Sequence, residues 1–239
     1  MFGRAWVLDG RRYPARSRGM DRALIIGASG GIGSALAATL DARGVAVTGL
    51  SRSTDGFDLT APDAADRLAG IGGPFDLVVV ATGALEIDGA APEKSLRAVT
   101  AQAMLDQFAL NAVGPALVLG QAHRLLPRRG RSVLAVLSAR VGSIGDNRLG
   151  GWVSYRAAKA AVNQVVHTAA IELARSNPDA TVVALHPGTV QTAFTAKYLG
   201  RYPAVPAAEA AANLLAVIDG LTPAQTGRFY DWAGKEVPW

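Results

Sequence analysis

Short apolar runs alternate with longer segments of helical periodicity along most of this chain. The apolar runs predict buried parallel strands at residues 23–27, 45–50, 76–82, 132–138 and 180–186. Helical patterns lie between and after them, at residues 32–43, 62–70, 100–126, 154–176 and 207–219. Residues 226–230 predict a last strand. This alternation predicts an α/β fold, a doubly wound and mainly parallel sheet with helices on both faces.

The first twenty residues differ from the rest of the chain. They are rich in arginine, contain glycine and proline, and show no sustained periodicity. We therefore predict one domain over residues 21–239, preceded by an extension over residues 1–20 that need not be ordered. The alternative is a short ordered strand at residues 5–8.

Composition narrows the classes of function. The 239 residues suffice for one α/β domain, and the net charge of +5 suits an anionic ligand such as a nucleotide. No basic stripe with interleaved aromatic residues is present, so we expect no nucleic-acid partner. No apolar run reaches the roughly 18 residues of a membrane helix, and the N-terminus has no hydrophobic signal. We expect a cytoplasmic protein without a membrane partner.

Thiol and metal chemistry are not expected. The chain has no cysteine, which excludes disulfides, thiolate catalysis and cysteine–metal sites. Its histidines, His123, His167 and His186, are far apart and lack the spacing of metal ligands.

A glycine-rich segment joins the first predicted strand to the first predicted helix. Gly27, Gly31 and Gly33 have the spacing Gly-x-x-x-Gly-x-Gly. Such glycines permit a tight turn and a close approach of the backbone to a pyrophosphate. The N-terminus of the following helix then offers free N–H groups to the phosphates. The segment predicts a dinucleotide site, although a glycine turn without a ligand is the simpler interpretation of this motif alone.

Tyr155 and Lys159 are four residues apart on a predicted helix and therefore share one face. A nearby ammonium favours the phenolate and lowers the pKa of a tyrosine from its usual ~10. A tyrosine of this kind can exchange a proton with an alcohol or carbonyl oxygen. A surface pair without function is the alternative, but the upstream glycine turn favours a catalytic pair.

The combination resembles the short-chain dehydrogenase/reductase family, from about Asp21 to the C-terminus. Further segments fit that family, namely 58–60, Asn111 and 187–192. Segments 138–144, 150–152 and 230–239 are similar to its C-factor and sniffer-like branch, which includes carbonyl reductases and a bacterial developmental signal protein.

The resemblance implies a single Rossmann-type domain that transfers a hydride between a nicotinamide and a carbonyl or secondary alcohol. Tyr155 is the implied general acid and base, Lys159 holds the nicotinamide ribose, and Asn111 positions a water in the proton relay. The residues assigned to the nucleotide are Gly27, Ser29, Gly31, Ile32, Gly33, Ser51, Arg52, Asp58, Leu59, Thr82, Gly83, Asn111, Tyr155, Lys159, Pro187, Gly188, Val190 and Thr192. The resemblance also implies a homodimer or homotetramer.

The serine of the family's catalytic set is displaced in this chain. Its slot falls on Ala139, and Ser138 and Ser143 are the available substitutes. We predict Ser138 in this role, although neighbouring strand residues point to opposite faces. A missing hydrogen bond to the developing oxyanion typically costs a few kcal/mol of barrier.

The cofactor is predicted from the end of the second strand. Ser51 occupies the place where an acidic residue would bind the ribose 2′-hydroxyl of NAD(H), and Arg52 follows it. An arginine there can pair with a 2′-phosphate, so we predict NADP(H), with NAD(H) as the alternative. Asp55 lies close enough to keep that alternative open.

Two functions from different classes remain. The first is an NADP(H)-dependent oxidoreductase acting on a small carbonyl or alcohol. The second is a cofactor-binding signalling or regulatory protein with little turnover, which the displaced serine favours. Nucleotide-sugar epimerase chemistry is disfavoured because the chain ends about 50 residues after Gly188.

Overall fold

The apolar runs form the strands of one parallel sheet. The structure is a computed structural model that describes residues 7–8, 11–12, 19–192, 195, 197 and 203–239. The strands are β1 Arg22–Ile26, β2 Ala46–Leu50, β3 Leu77–Val80, β4 Ser132–Leu137, β5 Ala180–His186 and β6 Arg228–Asp231. Their order is β6-β5-β4-β3-β1-β2, and every neighbouring pair is parallel. The predicted α/β sheet is thereby confirmed.

Helices connect the strands, close to the predicted positions. They are α1 Gly31–Ala42, α2 Arg52–Asp55, α3 Ala64–Ala69, α4 Ala101–Phe108, α5 Gly114–Gly120, α6 Ala122–Leu125, α7 Val153–Leu173 and α8 Ala207–Gly220. Single 3₁₀ turns lie at Leu96–Ala98, Arg140–Gly142 and Pro223–Gln225. A two-residue parallel pair joins Val190–Gln191 to Val205–Pro206.

The hydrophobic core has two layers, one on each face of the sheet. Because side chains alternate along a strand, Leu24 and Ile26 face one layer while Ala23 and Ile25 face the other. The first layer packs against α3, α5 and α7, and the second packs against α1 and α8. Helices on both faces make the sheet doubly wound, as predicted.

The long helix predicted over 100–126 is interrupted. Residues Ala109–Val113 form a π turn between α4 and α5. Pro115 has no N–H, so the helical bond to the carbonyl of Asn111 cannot form, and the helix widens there. By length and composition alone, Ala101–Gly120 could cross a membrane, which the apolar runs in the sequence did not predict. In the structure, 39% of this span is buried, and α4 and α5 pack against α7.

The N-terminal extension is described only in part. Val7–Leu8 pairs in antiparallel fashion with Arg11–Arg12. The other residues before Gly19, including Ala5 and Trp6 of the alternative strand, lie outside the described residues.

Candidate active site

The glycine turn lies at the carboxyl end of β1 and has no room for side chains. Gly27 has a φ of +93°, and a Cβ on Gly33 would lie 2.1 Å from the Gly27 carbonyl oxygen. A Cβ on Gly31 would lie 2.4 Å from Cγ2 of Thr192, so this loop and the segment after β5 approach each other closely. Gly30, the N-cap of α1, has no side chain to cap the helix, which leaves the N-terminal N–H groups available to an anion.

The other residues predicted at this edge lie around the turn. Ser29 is exposed in the turn itself, and Ile32 lies in the first turn of α1 and packs against the sheet. Pro187-Gly188 follows β5, with Gly188 at a φ of +78°. Val190 is buried in the short strand pair with Val205.

The end of β2 turns at once into α2, which the sequence did not predict. Oγ of Ser51 caps α2 by accepting the N–H of Thr54 at 3.3 Å. The side chain of Arg52 is 70% exposed, and its nearest carboxylate oxygen, on Asp58, is 4.0 Å away. Asp55 accepts hydrogen bonds from the Thr54 hydroxyl and the Ser51 N–H, which lower its pKa. The Asp55 carboxylate therefore bonds within its own turn, whereas the guanidinium of Arg52 is exposed to solvent.

Asp58 and Leu59 line the next loop. Burial would raise the pKa of Asp58, but hydrogen bonds from the N–H and hydroxyl of Thr60, helped by the charge of Arg52, hold it below its ordinary value. Leu59 is buried, and its Cβ lies 2.9 Å from where a Cβ on Gly114 would be. This loop therefore packs directly on the start of α5.

Two predicted residues, Asn111 and Lys159, converge on Gly83, beyond the end of β3. A Cβ on Gly83 would lie 2.8 Å from Oδ1 of Asn111 and 3.3 Å from Nζ of Lys159. The neighbouring Thr82 hydroxyl is buried and has no hydrogen-bond partner within the described part of the chain. A buried hydroxyl without a partner at such a site is what a bound polar ligand would satisfy.

Asn111 is completely buried in the π turn. Its Nδ2 donates to Oε1 of Gln107 at 2.7 Å and to the carbonyl oxygen of Ala84 at 2.9 Å. Gln107 in turn donates to the carbonyl oxygen of Leu85 at 2.9 Å. These bonds tie α4 to the loop that contains Gly83.

Tyr155 and Lys159 share one face of α7, as predicted. Both are buried, at 6% and 3% exposure, and Nζ of Lys159 lies 5.8 Å from the centre of the Tyr155 ring. Nζ also donates to the carbonyl oxygen of Leu137 at 3.0 Å. Burial lowers the pKa of Lys159 to about 8.

The pKa of Tyr155 differs from the expectation. We predicted that Lys159 would lower it, but burial raises it above the ordinary value. The protein around Tyr155 removes the water that would hydrate a phenolate, and at this distance Lys159 does not compensate.

The two candidate serines are engaged within the protein. Oγ of Ser138 donates to Oδ1 of Asn163 at 2.6 Å, and both residues are buried. Oγ of Ser143 donates to the carbonyl oxygen of Pro238 and accepts the N–H of Asp146 at 3.0 Å. In this geometry each hydroxyl proton is donated to another protein atom and is not available to a substrate oxygen. The hydrogen bonds of Ser138 therefore do not support its predicted role.

Sequence reasoning overlooked Glu93 and Trp232. Oε1 and Oε2 of Glu93 accept hydrogen bonds from the hydroxyl and N–H of Ser154, beside Tyr155. Cδ1 of Trp232 lies 2.9 Å from where a Cβ on Gly188 would be. Both contacts join residues far apart in the sequence, so no local spacing signals them.

Trp152 borders Tyr155. It precedes α7 with a φ of +52°, in the left-handed region, and its ring meets that of Tyr155 edge-on, with centres 6.4 Å apart. An apolar side chain therefore stands next to the phenol.

Comparisons with known proteins agree with this geometry. The sequence profile of the short chain dehydrogenase family matches residues 56–201. The C-signal protein of Myxococcus xanthus is 38% identical over 137 residues, which are 57% of this chain and 78% of that protein. The 1-hydroxy-2-glutathionyl-2-methyl-3-butene dehydrogenase of Rhodococcus sp. is 30% identical over 237 residues, 92% of this chain and 100% of the relative.

Solved structures show the same fold. A carbonyl reductase from Pseudomonas aeruginosa PAO1 superposes with a TM-score of 0.76 at 25% identity. A protein from Burkholderia multivorans, assigned to the short-chain dehydrogenase/reductases and solved with bound NADP, gives a TM-score of 0.73 at 25% identity. Each comparison covers 92% of this chain and 100% of the other. The resemblance inferred from the motifs is confirmed: the chain is an oxidoreductase of the short-chain dehydrogenase/reductase family.

Proposed function

We propose that this protein is an NADP(H)-dependent reductase of a small carbonyl compound, or a dehydrogenase of the corresponding secondary alcohol, with Tyr155 as general acid and base. The observation that carries the proposal is the convergence of Asn111 and Lys159 on Gly83, with Tyr155 on the same face of α7 as Lys159. The similarity to a carbonyl reductase supports the substrate class.

The residues present fit a dinucleotide. The glycine turn forms a cradle that side chains would fill, the N-terminus of α1 favours phosphate, and the unpartnered hydroxyl of Thr82 offers a further polar contact. Thr82, Asn111, Tyr155 and Lys159 would hold the ribose and nicotinamide end. When bound, the nicotinamide supplies or accepts the hydride.

NADP(H) is favoured over NAD(H) by the end of β2. The guanidinium of Arg52 is exposed, whereas the carboxylate of Asp55 accepts hydrogen bonds from its own turn. A 2′-phosphate can therefore pair with the exposed guanidinium of Arg52, which the Asp58 carboxylate only approaches to 4.0 Å. The bound NADP in the similar Burkholderia protein supports the same choice.

The proton chemistry follows from burial. In reduction, the carbonyl carbon gains the hydride and its oxygen takes the proton of the Tyr155 hydroxyl. The phenol of Tyr155 is protonated at neutral pH and can donate, and because burial raises its pKa in this structure, donation depends on stabilisation of the phenolate when substrate and nucleotide are bound. The ammonium of Lys159, one turn along α7, is the positive charge near the phenolate that remains, although in this geometry it offsets only part of the cost of burial.

A substrate screen tests the proposal. Purified protein is mixed with NADPH or NADH and a panel of aldehydes, ketones and quinones, and the absorbance of the reduced nucleotide is followed. We expect carbonyl-dependent oxidation that is faster with NADPH. Oxidation that proceeds equally without a carbonyl, or no oxidation with any of them, would contradict the proposal.

A signalling protein with little turnover is the second candidate. The similarity to C-signal favours it, as does Ala139 in the serine slot with Ser138 and Ser143 bonded elsewhere. In that case NADPH would still bind, and the tight binding would survive replacement of Tyr155 by Phe, but no carbonyl would be reduced.

We further propose that the protein acts in the cytoplasm as a homodimer or homotetramer. Leu105, Val113 and Ile171 support self-association because they are large, apolar and at least half exposed on the helical face of α4, the π turn and α7. Light scattering of the purified protein tests this, and a monomeric mass at micromolar concentration would contradict it.

A further inference from the structure

The helix that carries Tyr155 begins without a cap of its own. Its N-cap residue is Trp152, whose indole cannot accept a hydrogen bond from the first turn. Helices usually begin at a Ser, Thr, Asp or Asn that accepts one of the free N–H groups. The first turn of α7 must therefore be held by another part of the chain.

The missing cap is supplied by Glu93, which lies 61 residues before Ser154 in the sequence. Its Oε2 accepts the N–H of Ser154 at 3.3 Å, and its Oε1 accepts the Ser154 hydroxyl. Its carbonyl oxygen accepts the N–H of Trp152 at 2.5 Å. One residue of the loop after β3 thus makes three hydrogen bonds to the start of α7.

The surroundings of Glu93 suit an ionised cap. The residue is 8% exposed, and although burial would raise its pKa, the hydrogen bonds from Ser154 hold it below the ordinary value. The carboxylate stands at the positive end of a 21-residue helix, where a negative charge is stabilising.

The bonds of Glu93 flank Tyr155. Trp152 and Ser154 are the residues held, and Tyr155 is the next residue of the helix. Trp152 also contacts the Tyr155 ring edge-on and keeps a left-handed backbone conformation that a tryptophan rarely adopts. The carboxylate of Glu93 holds Ser154, next to the phenol, while its backbone carbonyl holds Trp152, so one residue holds both neighbours of Tyr155 in this region.

We propose that Glu93 is a positioning residue, whose cap on α7 fixes the Tyr155 hydroxyl and the Trp152 ring for proton transfer to the substrate oxygen. The role rests on the proposed carbonyl reduction. The partners of Glu93 are Trp152 and Ser154, which are not among the residues assigned to the nucleotide, so its loss should lower kcat and leave nucleotide affinity unchanged.

Three variants test the role. Glu93→Ala removes the two side-chain bonds to Ser154 and keeps the backbone bond to Trp152, whereas Glu93→Gln keeps an acceptor for the Ser154 N–H and a donor for its hydroxyl. Lys94→Ala changes the exposed neighbour and serves as the matched control. We expect kcat to fall about 10- to 100-fold in Glu93→Ala, to stay within about 3-fold in Glu93→Gln and to be unchanged in Lys94→Ala, with the same Kd for NADPH throughout.

A second measurement does not depend on turnover. Amide hydrogen exchange, followed by mass spectrometry, should be at least about 10-fold faster at residues 152–156 in Glu93→Ala and unchanged in the centre of α7. If Glu93→Ala does not fold, Ser154→Ala removes the hydroxyl partner instead and should accelerate the same amides.

The outcomes separate the two proposals. An active wild type with unchanged kcat or unchanged exchange in Glu93→Ala overturns the role of Glu93 and leaves carbonyl reduction standing. A wild type without turnover overturns carbonyl reduction and, with it, the catalytic role of Glu93. Equal losses in Glu93→Ala and Glu93→Gln would overturn positioning by hydrogen bonds, since only the charge would then matter.

Discussion

Asn111 and Ala84 share two hydrogen bonds across the mouth of the candidate site. Nδ2 of Asn111 donates to the Ala84 carbonyl oxygen at 2.9 Å, and the Ala84 N–H donates to Oδ1 of Asn111 at 3.3 Å. A single side-chain amide therefore satisfies both polar groups of one peptide residue. We call this pair of hydrogen bonds the Asn111 clamp. The same Oδ1 lies 2.8 Å from where a Cβ on Gly83 would be, so the clamp also shapes the backbone beside Lys159.

Replacing Asn111 by Leu should cost both stability and activity. The partly buried Ala84 N–H and carbonyl would lose their partners, which costs about 1–3 kcal/mol in the free energy of unfolding. We expect urea denaturation to show that loss and kcat to fall, because the loop beside Lys159 is no longer held. Gln102→Leu, an exposed change on the same helix α4, is the control and should stay within about 0.5 kcal/mol. Equal stability of the two variants would contradict the clamp.

Arg52→Ala should weaken NADPH selectively. The guanidinium is the group we assign to the 2′-phosphate, and losing one charge-assisted contact costs about 1.5–3 kcal/mol, or about 10- to 100-fold in Kd. Fluorescence titration should show this loss for NADPH and little change for NADH. Arg129→Ala, at an exposed arginine outside the site, controls for the change in net charge. A parallel loss of both nucleotides would remove Arg52 from 2′-phosphate recognition.

Lys159 should make the stability of the protein depend on pH in alkaline solution. Its pKa is about 8 in the folded protein and ~10.4 in an unfolded chain. Between these values the unfolded chain binds more protons, so the free energy of unfolding rises as the pH increases from 8 to 10. Below pH 8 the lysine is protonated in both the folded and the unfolded protein, so burying its ammonium lowers the free energy of unfolding by its full amount.

Lys159→Met removes this dependence. We expect the variant to be more stable than the wild type at pH 7.5, by about 2–3 kcal/mol, and this advantage to shrink at pH 9.5. Urea denaturation of the variant and the wild type at pH 7.5 and pH 9.5 measures the difference in the free energy of unfolding at each pH. A difference that is the same at both would show that Lys159 keeps an ordinary pKa in the folded protein.

The serine slot gives a fourth prediction. Because the Ser138 hydroxyl is donated to Asn163, Ser138→Ala should lower the free energy of unfolding by about 1–2 kcal/mol and leave kcat within about 3-fold. Ala139→Ser, in contrast, adds a donor at the predicted slot and should raise kcat. Steady-state kinetics and denaturation of both variants check these effects. A large loss of kcat in Ser138→Ala would restore Ser138 as the residue that binds the substrate oxygen.

Local patterns were enough to predict the sheet and the placement of Tyr155 and Lys159 on one helix face. Strands such as β3 and β4 are buried on both faces, so they read as continuous apolar runs. Tyr155 and Lys159 share a face because four residues make about one helical turn. The glycine turn was recognisable because strand, glycines and helix follow one another directly.

Other features depend on contacts that no local pattern contains. The cap from Glu93 joins two segments 61 residues apart. The π turn arises where Pro115 interrupts an otherwise regular apolar helix pattern. The direction of the Ser138 hydroxyl is set by Asn163 on α7, and α2 is a single turn, too short for a periodic signal.

The central claim is that Tyr155 transfers a proton to a carbonyl oxygen. The most direct measurement compares kcat for NADPH-dependent reduction of the best carbonyl substrate in the wild type and in Tyr155→Phe, together with the Kd for NADPH of each. We predict that kcat falls about 10²- to 10⁴-fold while the Kd rises by no more than about 10-fold, the effect of one lost hydrogen bond. Turnover that survives the loss of the phenol hydroxyl would contradict the account.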